Sequence, residues 1–407
     1  MKRFLNQPLV ARAPRPVARH RGCAGLVALG LWLAVARAPG QSDVVDIVRE
    51  IVPGATRPIP VSISGFTGEA LEVIQFDLFV QGFSFTAPDT AQFLLSGSND
   101  GSLTGRATDR INKSLLVNKS YTGATLRRQA HAFVEDFIRA LGRTPIDPSK
   151  KIAFKLDTGA NSEIYVADFD GHGAQAVTRD NTIVAAPAWV PGRLALYYTS
   201  YRLGNPDIFF HDLSSGQRRV FARYPGLNTS AAPSPDGRRV AMILSKGGSP
   251  DVYVADADGG NLVQLTQTPA DESSPCWSPD GRWVCFATKV NERRVLAKVP
   301  ASGGPLQIIT TRGISNPSEP DWSPDGKWIV FTAQMGGFEI CVVPAGGGTA
   351  TVLVSGEDPC WAANSRTVIF ARRQSGRRVL SLLDVPTKQV KDASRFSGSS
   401  SQPSWAR

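Results

Sequence analysis

The chain has 407 residues, of which 42% are hydrophobic and 20% charged, with a formal net charge of +10. That length leaves room for more than one packed core. Residues 1–36 carry six Lys/Arg and no acid, so the remainder stands near +4 (10 − 6), and the basic balance does not argue for a nucleic-acid partner.

Residues 1–21 hold Lys2, Arg3, Arg12, Arg15, Arg19 and Arg21, and Gly22 through Ala36 is almost wholly apolar. The apolar run is short for a membrane span and ends in small residues, the pattern of a cleavable export signal over 1–36. Cleavage after Ala36 suits the small-x-small rule; after Ala38 it would place Pro39 at the new start. Cys23 follows Arg21-Gly22 rather than an apolar lead, so lipidation is not expected.

Residues 43–149 carry no repeat. Val44 to Val52 alternates loosely, and Pro53-Gly54 breaks it. Strands are predicted at Pro60–Ile63, Gln92–Ser96 and Lys113–Tyr121, with a hairpin turn at Asn99-Asp100-Gly101. Helical spacing runs from Gly68 to Val80. It returns at Leu126, Ala130, Phe133, Val134, Phe137, Ile138 and Leu141, and Gly142 ends the second helix. The segment reads as a small α/β domain, joined through a linker at Pro145 and Pro148 to a repetitive C-terminal region.

From residue 151 one pattern recurs. Pro275-Cys276-Trp277-Ser278-Pro279-Asp280-Gly281-Arg282 and Pro320-Asp321-Trp322-Ser323-Pro324-Asp325-Gly326-Lys327 are its clearest copies. Anchors stand at 189, 233, 277, 322, 361 and 405, in steps of 44, 44, 45, 39 and 44. Pro233 takes the place that Trp holds in the other copies, and the step after 322 is short. Each copy holds four short strands. In Ser-Pro-Asp-Gly the Pro fixes φ, the Asp bonds its own backbone and the Gly takes a positive φ. Such a period signals a β-propeller, so the fold class is mainly β: a six-bladed β-propeller over 151–407 preceded by the small α/β domain. The first copy starts on a second strand, Ile152-Ala153-Phe154, and the last ends on a first strand, Ser404-Trp405. Pairing these fragments would close the ring and hide two sheet edges. A closed ring leaves no edge to template a dimer, so a monomer is expected.

The chemistry-bearing residues are sparse. The four His are His20, His131, His172 and His211, and no pair has metal-ligand spacing. The sequence holds no nucleophile elbow, phosphate loop or dinucleotide fingerprint. Asp168-Phe169-Asp170-Gly171 resembles the start of a calcium loop, but position twelve is Arg179, and the same turn recurs at Asp256-Ala257-Asp258-Gly259, so a hairpin turn is expected. No cofactor, metal or catalytic residue is expected. The repeated Trp on each innermost strand reads as a packing wedge rather than a sugar platform. Cys276 and Cys285 flank one tight hairpin; they could be bridged or could be small buried hydrophobes, and the sequence leaves this open.

Signal, small domain and six Trp-Ser-Pro-Asp-Gly blades together resemble the TolB family, the periplasmic propellers of the Tol-Pal system. Gly54-Ala55-Thr56-Arg57-Pro58-Ile59-Pro60-Val61 looks like that family's first strand. Leu126-Arg127-Arg128-Gln129-Ala130-His131-Ala132-Phe133-Val134-Glu135-Asp136 is similar to its helix leading into the propeller. The resemblance implies a non-enzymatic periplasmic protein that supports outer-membrane integrity and constriction in division. It implies that the propeller mouth binds a Pal-like lipoprotein and that the mature N-terminus, Asp43, Val44, Val45, Asp46, Ile47 and Val48, reaches a TolA-like inner-membrane protein.

In a propeller the loops from each fourth strand to the next first strand cross one rim of the channel. On that rim the expected contacts are Asn228, Thr229, Ser230, Asp271, Glu272, Ser273, Ser318, Glu319, Ser400 and Ser401. Two other readings stand beside this one: an exported carbohydrate- or peptidase-associated propeller, and a scaffold with different partners. A lectin would place aromatics in the rim loops, which are nearly free of them, and a peptidase needs a nucleophile that 43–149 lacks.

Overall fold

The computed structural model describes residues 53–393 and 398–407. The predicted signal and the Asp43–Val48 segment lie outside the described residues. The small domain runs β1 (Ile59–Ser64), α1 (Gly68–Phe79), β2 (Phe83–Phe85), β3 (Phe93–Ser98), β4 (Leu103–Asp109), β5 (Ser114–Tyr121) and α2 (Leu126–Ala140). Its sheet has the order β2-β1-β3-β4-β5, with β1 parallel to both neighbours and the rest antiparallel.

Helix α2 starts where the Thr125 hydroxyl accepts the Arg128 N–H. Its Ala130, Phe133, Val134, Phe137 and Ile138 are buried, the spacing of one helix face. Phe133 and Phe137 meet Phe66, Phe83 and Phe93 at ring distances of 5.5, 5.5 and 5.4 Å. A Cβ on Gly105 of β4 would lie 2.4 Å from the Phe133 ring, so this strand must be bare where the helix presses on it. That pressure explains why β4 escapes the sequence pattern: its inward residues, Leu103, Gly105 and Ala107, are mostly small. Strand β2 has three residues and gives no periodic signal.

The propeller has six four-stranded blades. Blade 1 takes its inner strand from the end of the chain: Ser399–Trp405 pairs with Ile152–Asp157, placing Trp405 opposite Ile152. Inner strands of blades 2 to 6 are Val184–Trp189, Asn228–Pro233, Ser273–Trp277, Pro317–Trp322 and Glu357–Trp361. The Trp-Ser-Pro-Asp-Gly turns fold as their residue types require. In blade 4 the Ser278 hydroxyl donates to Asp280 at 2.5 Å and accepts the Trp283 N–H at 2.9 Å, while Gly281 sits at φ +67°.

Each anchor Trp wedges against the preceding blade. Trp277 packs with Ala241, Ile243 and Val252 of blade 3, and Trp361 with Val330 and Ile340 of blade 5. Blade 3 has Pro233 instead, and there Tyr197 of blade 2 fills the seam, packed on Phe210 and Phe221 at 5.2 and 4.8 Å. The short step after Trp322 removes the rim loop of blade 5. Only Gly356 separates its outer strand, Thr351–Ser355, from the next inner strand, and a Cβ there would meet the Phe370 ring at 2.4 Å.

The small domain packs on blades 6 and 1, at the propeller face that carries the Trp-Ser-Pro-Asp-Gly turns. Thr367 donates to the Val80 carbonyl at 3.2 Å and Gln389 to the Phe83 carbonyl at 3.0 Å. Phe76, Phe79 and Val80 share a core with Phe154, Phe169 and Trp405. His131 is buried, with Nδ1 2.6 Å from Asp77, and its ring lies 5.5 Å from Phe169. His172 sits in an exposed turn, as its sequence context implied.

Candidate partner-binding site at the channel mouth

The loops joining fourth to first strands lie on the face away from the small domain. They open on a central channel of about 730 Å³. Each inner strand enters the channel through a β-bulge, and one residue per bulge takes a left-handed conformation: Ala186, Ser230, Ser274, Glu319, Asp358 and Gln402, with φ of 51°, 55°, 54°, 52°, 56° and 51°. Bulges re-aim side chains, and all six line the channel. In chain terms each stands three residues before an anchor. That constant offset was the available signal for Ala186 and Gln402, which lie outside the rim loops read from the sequence; Ser274 and Asp358 lie within those loops, Asp271–Ser274 and Glu357-Asp358.

The ring is chemically lopsided. Glu319 accepts the Asp358 backbone N–H at 3.0 Å, Asp358 accepts that of Gln402 at 2.9 Å, and Gln402 accepts that of Ala186 at 2.9 Å. Side chain thus meets the next blade's backbone across three successive seams. One layer deeper, Asp321 accepts the Trp361 N–H at 2.7 Å and Ser404 accepts the Trp189 N–H at 3.2 Å. Arg407 reaches into the same layer to contact Asp321. On the opposite wall stand Ala188, Ala232 and Cys276, which bring no such carboxylate. Burial, then the neighbouring Glu319 charge, pushes the Asp358 carboxyl up to about 8, against the Gln402 N–H that favours its charge.

Of the ten predicted rim contacts the structure leaves six open to solvent in part or in full: Thr229, Ser230, Asp271, Ser273, Ser318 and Glu319. The other four are a correction. Asn228, Glu272, Ser400 and Ser401 are buried. Asn228 ties its own loop by accepting the Tyr224 N–H at 2.8 Å and donating to the Tyr224 and Pro206 carbonyls. Glu272 accepts hydroxyls from Thr266, Thr268 and Thr288 at 2.8, 2.6 and 3.2 Å, and burial pushes it up to about 7. Asn228 and Glu272, expected as partner contacts, are instead the scaffold of their loops, because a buried backbone must find partners.

Among the described residues no group of three or more His, Cys, Asp or Glu is arranged to hold a metal ion. The four described cysteines are free; Cys276 and Cys285 face each other as cross-strand partners. Their mutual hydrogen bond, then burial, raises the Cys276 thiol well above its ordinary value.

Fold and channel define a closed six-bladed propeller whose open mouth presents hydrogen-bond acceptors on one side. Residues 148–407 match the TolB beta propeller domain, and the chain belongs to that family. It is similar to the Tol-Pal system protein TolB of Polaromonas naphthalenivorans, at 30% identity over 208 residues covering 42% of this chain and 48% of that one. The Tol-Pal system protein TolB of Desulfosudis oleivorans is 31% identical over 142 residues, 34% of this chain and 32% of that one. These matches span about half or less of the relatives' length. The crystal structure of TolB from Acinetobacter baumannii superimposes with a TM-score of 0.77 at 22% identity, covering 88% of this chain and 98% of that one, a likeness of fold.

Proposed function

We propose that the chain is an exported, periplasmic binding component of a Tol-Pal-like system, working without catalysis. Its channel mouth takes a Pal-like lipoprotein and its Asp43–Val48 segment a TolA-like inner-membrane protein, in support of outer-membrane integrity and constriction at division. The observation that carries this reading is the lopsided mouth. Glu319, Asp358 and Gln402 are held by bulges on one wall, with Thr229, Ser230 and Asp271 around the rim, on the face the small domain leaves free. Fixed acceptors around a wet opening suit a polar loop of a partner, and pre-organisation lowers the cost of binding it.

Calorimetric titration of the mature chain with the soluble domain of the Pal-like protein from the same organism tests it. The expected result is saturable one-to-one binding, weakened at least about tenfold, or about 1.4 kcal/mol, when Thr229, Asp271 and Glu319 are changed together to Ala. Deleting residues 43–48 is expected to abolish binding of the TolA-like domain while sparing the first. Absence of binding to the Pal-like domain at high micromolar concentration would overturn the partner assignment and leave a scaffold with another partner.

A further inference from the structure

Strand direction alternates within a blade, so the hairpins joining second to third strands share the face of the channel mouth. Free charge is spread unevenly over their tips. The blade 1 tip, Thr158-Gly159-Ala160-Asn161, carries none. In blade 2 Arg202 lies 3.7 Å from Asp180 and over the Phe209 ring at 5.9 Å. In blade 3 the Lys246 ammonium lies over the Tyr224 and Tyr253 rings, 4.5 and 5.7 Å from their centroids. Blade 4 carries Lys289, Arg293 and Arg294 at its tip, and blade 6 carries Arg373 and Arg377, all exposed. None of these five side chains makes an ion pair, hydrogen bond or ring contact among the described residues. The adjoining Arg372 and Arg378 are paired with Asp392 and Glu357, and Glu292 is the one exposed acid on these two tips.

Register turns three of the five toward one place. Cys285 and Ala287 of blade 4 share a core with Phe331 and Cys341 of blade 5. Lys289, two residues beyond Ala287, and Arg294, its cross-strand partner, therefore lie on the side of blade 4 turned to blade 5. Phe370 of blade 6 shares a core with Val330 and Ile340 of blade 5. Gln374 continues that side of blade 6, and Arg377 is paired opposite it. The blade 5 tip between them, Gln334-Met335-Gly336-Gly337-Phe338, is uncharged and exposed. Lys289 directly opposite Arg294 is a repulsive pair, which an anion over it would relieve.

The mouth thus has two zones on its blade 5 and blade 6 side. Glu319 and Asp358 are held inside the channel, and unpaired cations stand outside it. A specific protein contact buries roughly 800 Å² on each partner, so a partner that seats a loop in the channel also covers ground beside it. Arg, Met and aromatic side chains are those that such contacts favour, and the tips of blades 4 to 6 present them together. We infer that the channel partner lies off-centre over blade 5, with an acidic patch beside its inserted loop held by Lys289, Arg294 and Arg377. The inference rests on the proposed reading of the mouth as a protein-binding site and adds the chemistry of the partner's surface.

The test is stopped-flow association of the mature chain with the soluble domain of the Pal-like protein at low and at high salt. The association rate constant is expected to fall by about tenfold or more as salt screens the attraction. Lys289→Glu, Arg294→Glu and Arg377→Glu together should lower the low-salt rate by about tenfold or more and leave the high-salt rate near the parent's. Arg294→Glu alone should lower it more than Leu203→Glu with Asn205→Glu, the same change of net charge placed on blade 2 across the ring. All these side chains are exposed, and the variants' melting temperatures are expected to match the parent's. A rate indifferent to salt, or equal losses from the two charge-matched variants, would overturn the inference and leave the channel site standing. No association at either salt would overturn the reading of the mouth and this inference with it.

Discussion

The Asp358 carboxylate accepts the backbone N–H of Gln402 at 2.9 Å across the seam between blades 6 and 1, the seam where the two ends of the propeller meet. Glu319 stands behind Asp358 and accepts its N–H in turn. Asp358 would therefore have to ionise in a confined channel beside a second carboxylate, which disfavours its charge. Burial first, then Glu319, lifts Asp358 from 3.8 to about 8.

A carboxyl raised in the folded state binds its proton more tightly there than in the unfolded chain, and this sets the sign of the pH dependence. Its stabilising contribution is complete below the unfolded value of about 4 and is lost as pH rises through about 8. Urea denaturation across that window should show the parent losing more stability with rising pH than Asp358→Asn, whose amide oxygen still accepts the Gln402 N–H. Identical slopes for the two proteins would mean that Asp358 is ionised throughout.

Trp361 carries a second prediction. It is fully buried and fills the seam between blades 5 and 6. Replacing an interior aromatic by Ala removes its burial and leaves a cavity, at about 3–5 kcal/mol. Trp361→Ala should show that loss in chemical denaturation with a lowered melting temperature. A cost below about 1 kcal/mol would mean that the seam collapses to fill the gap and that the wedge is dispensable.

The repeated turns allow a test of independence. Ser278 and Ser323 are buried and make the same pair of hydrogen bonds in adjacent blades: each donates to an Asp two residues on, at 2.5 and 2.6 Å, and accepts a Trp N–H at 2.9 Å. Removing either hydroxyl strands a backbone donor, at about 1–3 kcal/mol. The two share no partner, so Ser278→Ala and Ser323→Ala should add in the double variant. Marked non-additivity in equilibrium melts would show that adjacent blades do not respond independently.

Sequence pattern reached some parts of this molecule and missed others for physical reasons. The propeller was legible because Trp, Pro, Asp and Gly at fixed offsets each solve one local problem, and the solutions recur. Closure was legible because Ile152 lacks an inner strand before it and Trp405 lacks outer strands after it. The mouth was only half legible. Polar residues in rim loops were visible, but which of them turn inward is decided by tertiary partners. Asn228 and Glu272 are drawn in by a starved backbone and three Thr hydroxyls. Asp358 and Gln402 face the channel because a bulge rotates them there, and a bulge leaves only a spacing rule in the sequence.

The junction between small domain and propeller gives the last prediction. Arg127 of α2 and Asp170 of the first blade are both buried and in contact, with Glu69 3.7 Å from the guanidinium. The sequence offered Asp170 as a turn residue, and it does accept the His172 N–H at 3.1 Å. Its second oxygen is committed to the small domain. Such a pair gains little over a well-packed apolar pair, yet breaking it by removing one partner strands a buried charge, at about 3–5 kcal/mol. Arg127→Ala should therefore destabilise the protein by that order and speed proteolysis within 142–150, the stretch between α2 and the first blade. Arg127→Met combined with Asp170→Leu should recover most of the loss, because no charge is left stranded. A single variant as stable and as protease-resistant as the parent would mean that the apolar contacts of Phe76, Phe79 and Val80 and the hydrogen bonds from Thr367 and Gln389 hold the domains together without the ion pair.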